Sequence, residues 1–410
     1  MAPSQHDLTA LAGEALTLLE GEGQATVWWE RRLAVDEYGI SDIVQQTAEL
    51  VVLRAGRVGA ASTTDLGAAG LRRAAATAFA HAELDRAPTR GRRLPEPSSG
   101  RPHDGWDPAV AALDPVAVAA ELAGATGEGL AIEYRAGAGR VAIASTRGVC
   151  AYEQRSFVAA EVRAPGRPLA AATGPGGLDL GALVASADAG FHEGAPQTAE
   201  PGEPAVVLGP VAVAQVLEAL KPELAGTDGL LAARRGARIV APSINLSDSP
   251  RFPGTLPRSF DAEGVPRAPV PLIQDGVAHR AVSDTATGDS TGHATRPGHA
   301  EPWPEHLVLS GGGSDDADEL AEPIELGLLV PAFMVTEHGW RLDRARLIEA
   351  GKPTWAVTGV AEVDPMAVLA ATEALTRAQQ LVPADDDSAL TIGATLCPGL
   401  RARSGVTIVG

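Results

Sequence analysis

FDAEGVPRAPVPLIQDGVAHRAVSDTATGDSTGHATRP, residues 260–297, is the stretch on which the reading of this chain turns. It runs a tight acidic turn (Asp261, Glu263, Gly264) into an apolar strand and a Gly276 turn, and ends in a polar loop. The loop continues as STGHATRPGHAEPWPEH, residues 290–306, and holds His293, His299 and His306, three of the nine histidines. Three converging imidazoles with an open position would make a zinc hydrolase site. Helical metal motifs, however, place two histidines three to five residues apart so that one turn presents both. Here the gaps are six and seven, and Pro297, Pro302 and Pro304 prevent a helix. A loop metal site and a solvated loop with histidines in separate roles both stay open on spacing alone.

Outward from this stretch, the composition sets limits. A chain of 410 residues exceeds what one core usually serves, so two domains are expected. Only 4% of residues are aromatic and much of the apolar fraction is alanine, which predicts tight packing of small side chains. A formal charge of −19 argues against nucleic acid and against an anionic membrane surface. Lys221 and Lys352 are the only lysines in an alanine- and arginine-rich chain, which suggests a high-GC bacterial genome. Two cysteines, Cys150 and Cys397, make no disulfide framework, and no stretch reaches membrane-span length, so a cytoplasmic protein is expected.

The fold class expected is α+β. An N-terminal domain over residues 1–202 should contain an antiparallel sheet with helices, and a β-rich domain should follow over 203–410. The first helix starts behind a Ser4 cap with Asp7 three residues on. Strand patterns cover Ala25–Leu33, Val44–Arg54 and Arg57–Thr63, followed by a helix over 67–84 with His81 on its solvent side. Residues 86–108, rich in Pro, Gly and Arg, read as an exposed connection. A helix from about Pro115 to Leu122 and a second hairpin lead to a strand over Cys150–Val162, where Cys150 is expected in the core. EPAVVLGPVAVAQVLEALKPEL, residues 203–224, reads as a buried strand, a Gly209-Pro210 turn and a helix. A further helix is expected near Pro365–Gln380.

Familiar catalytic motifs are missing. GPGG and GGGSDDADE lack the Lys-Ser/Thr of a phosphate loop, no GxSxG elbow occurs, and His192-Glu193 has no second histidine one turn on.

The order of motifs nevertheless resembles the TldD/PmbA family. That family carries D-x-E-G, then L-I-x-x-G-V, then S-T-G-x-A-x-R, matched here by Asp261–Gly264, Leu272–Val277 and Ser290–Arg296. VVLGPVAVAQVLEAL, APSINLSDSP, RLIEAGKPTWAVTGV and the terminal GVTIVG are similar to flanking pieces, and AGRVGAASTTDLGAAGLRRAAATAFAHA to the amino-terminal domain. TldD-type members hold a catalytic zinc with His-Glu-x-x-x-His on the helix after that strand, plus a cysteine; TldE- or PmbA-type members lack the motif. This chain has Leu217 at the first histidine position, Glu218 preserved, and Lys221 followed by Pro222 at the second. Leucine cannot bind zinc and an ammonium would repel it.

The resemblance therefore implies a TldE-type chain with no cofactor of its own and no catalytic residue. It would pair with a zinc-binding TldD-type chain that hydrolyses amide bonds of peptides or of small N-acyl intermediates in natural-product biosynthesis. Thr291, Gly292 and His293 are then candidates for lining a substrate cleft, because glycine between two hydrogen-bonding side chains permits close approach; a self-satisfied turn is the other reading. Two further functions remain: a hydrolase of its own using His293, His299 or His306 with Asp284 or Asp289, and a binding protein that kept the fold and lost the chemistry.

Overall fold

The computed structural model describes residues 2–86, 92–100, 103, 105–125, 130–163, 168–189, 195–336, 339–343 and 345–409. His192 and Glu193, and part of the 86–108 connection, lie outside the described residues.

Two long strands start the N-terminal lobe. β1 (Glu22–Asp36) and β2 (Gly39–Arg54) form a hairpin whose register runs without a break from Asp36↔Gly39 to Glu22↔Leu53. β3 (Arg57–Thr63) extends one side, and β4 (Ile132–Ser145), β5 (Cys150–Val162) and β6 (Leu169–Ala172) the other, giving the order β3-β2-β1-β4-β5-β6.

Alternation then assigns the two faces. Val27 and Leu50 turn toward α1 (Gln5–Leu16) and α2 (Ala68–Leu84), and Trp29, Leu33, Tyr134 and Val158 toward the helices Pro115–Ala125 and Leu180–Ala189. The opposite face meets the C-terminal lobe, where Phe157 and Ala159 pack on Leu256, Ala389 and Ile392. Ser4 and Asp7 do form the expected reciprocal cap of α1.

The C-terminal lobe carries an eleven-stranded sheet and a four-stranded one. Ala205–Leu208 lies between Ala394–Ala402 and Leu326–Val330, antiparallel to the first and parallel to the second. The helix Pro210–Leu220 packs on this sheet with six of its residues buried. The whole is mixed α+β, as expected.

Two expectations are corrected. The helix near Pro365–Gln380 stops at Ala370, and Thr372–Pro383 is a strand paired with Ala394–Ala402. The Ala/Gln content favours helix, but cross-strand pairing outweighs this local propensity. Cys150 is exposed, not core, because it opens β5 just after the Gly148 turn, before the strand enters the interior.

Small residues set the closest approaches. A Cβ on Gly59 would lie 2.0 Å from the Ala78 carbonyl oxygen and 2.2 Å from the Ala82 nitrogen, so α2 rests directly on the backbone of β3. Gly59→Ala is expected to lower stability by roughly 1–3 kcal/mol, the usual cost of overpacking. Urea unfolding measures it, and an unchanged midpoint would mean that α2 can shift away freely.

Candidate functional site

Strand Ala205–Leu208 feeds the helix Pro210–Leu220 through Gly209, with Pro210 in the first turn where its missing N–H costs nothing. The helix is pinned on its free side by Gln215. Its side-chain amide donates to the Phe333 carbonyl at 2.7 Å, and its oxygen accepts from the Phe333 amide at 2.8 Å. Phe333 meets Trp340 edge to face, with centroids 5.1 Å apart. Gln215, Glu218, Phe333 and Trp340 line one wall of a cleft of about 750 Å³, and Glu133, Arg135 and Glu161 of the N-terminal sheet line the other. The cleft thus sits between the lobes.

Of the positions that sequence matching aligned with a metal motif, only Glu218 lines the cleft; the other two lie behind it. Leu217 is fully buried in the core. Lys221 is also buried, at 2% exposure, and its ammonium lies 2.7 Å from Glu218 Oε1, to which Thr395 also donates at 3.3 Å. Cys397 is buried on the adjoining strand; its thiol donates to the Pro210 carbonyl oxygen at 3.2 Å, and burial pushes its pKa far above the ordinary range. These donors do not fit zinc. Leu217 has no ligand atom and the Lys221 ammonium no lone pair, so Glu218 and Cys397 remain at most, fewer than the three protein ligands of a catalytic zinc site.

The signature stretch lies elsewhere, in a buried polar network. Asp261 holds its turn by accepting from the amides of Glu263 and Val265 on Oδ1 and of Ala294 on Oδ2. Gly292 has φ +78°, and a Cβ there would lie 2.5 Å from the Pro266 carbonyl oxygen. That close packing puts His293 beside Asp248, with Nε2 3.0 Å from Oδ1, while Nδ1 lies 2.9 Å from both oxygens of Thr291.

Asp248 Oδ2 accepts from the amides of Glu305 and His306. Burial by itself would raise the Asp248 pKa, but His293 and Arg267 outweigh it and hold the carboxyl well below the usual range. Burial, with Arg267 adding to it, pushes His306 well below its ordinary value, so that ring is neutral.

The network crosses to the N-terminal sheet. Glu305 accepts from Arg258 at 2.5 Å and forms an ion pair with Arg267 at 2.9 Å. Glu153 on β5 accepts from the Ser259 amide at 2.7 Å and faces His103 at 3.1 Å, while Arg155 donates to the Pro257 and Ile392 carbonyls.

Among the candidate residues read from sequence, then, Thr291, Gly292 and His293 come together but are buried, with Thr291 bonded to His293 and the His293 ring beside Asp248. His306 joins the same network, whereas His299 lies in a shallow groove beside His81. Asp284 is buried and caps its own turn, and Asp289 is exposed. No group of three or more His, Cys, Asp or Glu among the described residues is placed to hold a metal. Sequence reading missed Glu153, Arg155, Asp248, Arg258 and Arg267; charged residues inside the apolar strand Cys150–Val162 were the one available signal.

Burial raises Glu263 to about 7 against the opposing contacts of Thr285 and the Gly298 amide. A carboxyl whose folded pKa lies above its unfolded value stabilises fully below about pH 4.5, and that contribution is lost as pH rises through about 7. Glu263→Gln should therefore flatten the fall in stability between about pH 5 and pH 8, an effect of at most about 3 kcal/mol. Melting temperatures of both proteins across that range check it; parallel curves would refute the assignment.

Comparison with known proteins closes the question of kinship. Residues 201–403 match the model of the PmbA/TldA metallopeptidase C-terminal domain. No curated protein matches. Among solved structures, TldE from Thermococcus kodakarensis superposes with a TM-score of 0.81 at 18% identity, covering 98% of this chain and 99% of that one. A putative modulator of DNA gyrase from Thermotoga maritima gives 0.72 at 16%, and one from Bacteroides thetaiotaomicron 0.77 at 17%, each covering 99% of both chains. At such identities the structures speak for the fold, which is shared end to end. With the C-terminal domain match and the ordered motifs of residues 260–297, the chain belongs to the TldD/PmbA family.

Proposed function

We propose that this chain is the metal-free, TldE-type subunit of a heterodimeric amide hydrolase whose zinc is held by a TldD-type partner. The observation that carries this reading is the helix behind the inter-lobe cleft, where a core Leu217 and the Glu218–Lys221 ion pair occupy the positions that bear the metal motif in catalytic members. A buried ammonium 2.7 Å from the one retained motif carboxylate offsets its charge, would repel a cation, and has no lone pair of its own to offer a metal. The TldE of T. kodakarensis, with the same fold over the full chain, supports the assignment to that branch.

On this reading the chain's own residues form and hold a wall. Gln215 fixes the Phe333 strand, Phe333 and Trp340 supply apolar surface, and Thr291–His293 brace the frame from within. The substrate is a peptide or a small N-acyl amide, and the setting is the cytoplasm; no helix among the described residues is long and apolar enough to cross a membrane.

Mixing this chain with the TldD-type protein of the same genome tests the proposal. Light scattering should report a 1:1 complex, and hydrolysis of a peptide or an N-acyl amino acid should appear only with both chains. Turnover by this chain alone would overturn it. Glu218→Gln should change turnover of the complex by less than about tenfold, below the ~10² expected for a lost acid–base group; a hundredfold loss with intact assembly would make Glu218 catalytic.

A further inference from the structure

β2 is sixteen residues long, but β3 pairs with it only from Ala48↔Thr63 to Arg54↔Arg57. Its outer edge over residues 39–47 therefore pairs with no strand among the described residues, while its inner edge is bonded along its whole length to β1. Nine residues of extended chain present about 30 Å of backbone donors and acceptors.

Open edges of this kind are normally blunted by lysine, proline, a bulge or short length. None of these is present. The segment reads GISDIVQQT, its register with β1 has no irregularity, and its single charge, Asp42, is already bonded to Arg31 at 2.9 Å. Tyr38, Ile40, Ile43 and Val44 beside it are 84%, 47%, 45% and 58% exposed. By alternation Ile40 and Val44 point to one face of the sheet and Ile43 to the other, so apolar surface flanks the edge on both sides.

The chemistry that complements such an edge is another extended backbone carrying apolar side chains. Nine strand residues alone fall short of the about 800 Å² per partner that a stable complex buries, so the occupant is a folded domain that also covers Tyr38 and the hairpin tip. A net charge of −19 opposes a second copy of this chain.

We infer that residues 39–47 are the docking edge for the partner chain, which adds a strand there and continues the six-stranded sheet across the interface. This inference rests on the heterodimer proposed above and names its contact surface.

The test uses the full chain, the TldD-type protein and the variant Ile40→Lys/Val44→Lys, which places edge-guarding lysines at two exposed positions. Hydrogen exchange of amides 39–47 should slow at least about tenfold in the wild-type complex, and the variant should bind at least about tenfold more weakly by calorimetry. Its own melting temperature should match that of the wild type. If the wild-type pair forms but the amides stay unprotected and the variant binds equally well, the edge assignment is wrong and the heterodimer stands. If the wild-type chains do not associate, both fall. Self-association of this chain that the two lysines abolish would overturn the choice of partner.

Discussion

The contact between Asp248 and His293 is the constraint on which the rest of the C-terminal lobe depends. A carboxylate with no solvent exposure is tolerable only with full compensation, since an unpaired buried charge costs several kcal/mol. Here one oxygen faces the imidazole at 3.0 Å and the other accepts two backbone amides, so the ends of Leu246–Asp248 and Leu307–Leu309 and the Thr291–His293 turn converge on one group. From Glu305, next to that group, paired arginines lead to Glu153 and Arg155 on β5. The network joins the lobes, and the lobes form the cleft.

This places the family's most recognisable stretch in a supporting role. Residues 261–293 need acidic turns and the positive-φ glycines Gly264, Gly276, Gly288 and Gly292 because their side chains satisfy backbone amides and one another in the interior. The cleft owes its polarity to other elements, the helix Pro210–Leu220 and strands β4 and β5. Glu218, on the cleft wall, is held from behind by Lys221 and Thr395 without needing a metal to order it.

Much of the fold was legible in the sequence where periodicity is local. The β1–β2 hairpin, β3, α1 and α2 follow from alternation, caps and an alanine stripe. Thr372–Pro383 was misread because its residues favour helix, while its pairing with Ala394–Ala402, from Pro383↔Ala394 out to Thr372↔Ala402, is invisible to a local window. Cys150 was misread because free cysteines are usually buried, whereas a strand's first residue stands at the rim. The buried network was illegible for a different reason: its pairs, such as Arg155 with Ile392, are hundreds of residues apart. At the cleft, the meaning of Leu217 and Lys221 came from the resemblance alone; their burial and the ion pair came from the fold.

Metal binding by the isolated chain tests the central claim most directly. Purified protein is incubated with excess zinc, dialysed without chelator, and analysed for metal by element alongside its melting temperature. With Leu217 in the core and Lys221 on Glu218, far less than one zinc per chain should remain, and the melting temperature should not move. One zinc retained per chain, and lost on Glu218→Gln or Cys397→Ser, would contradict the account and make this chain a metalloenzyme in its own right.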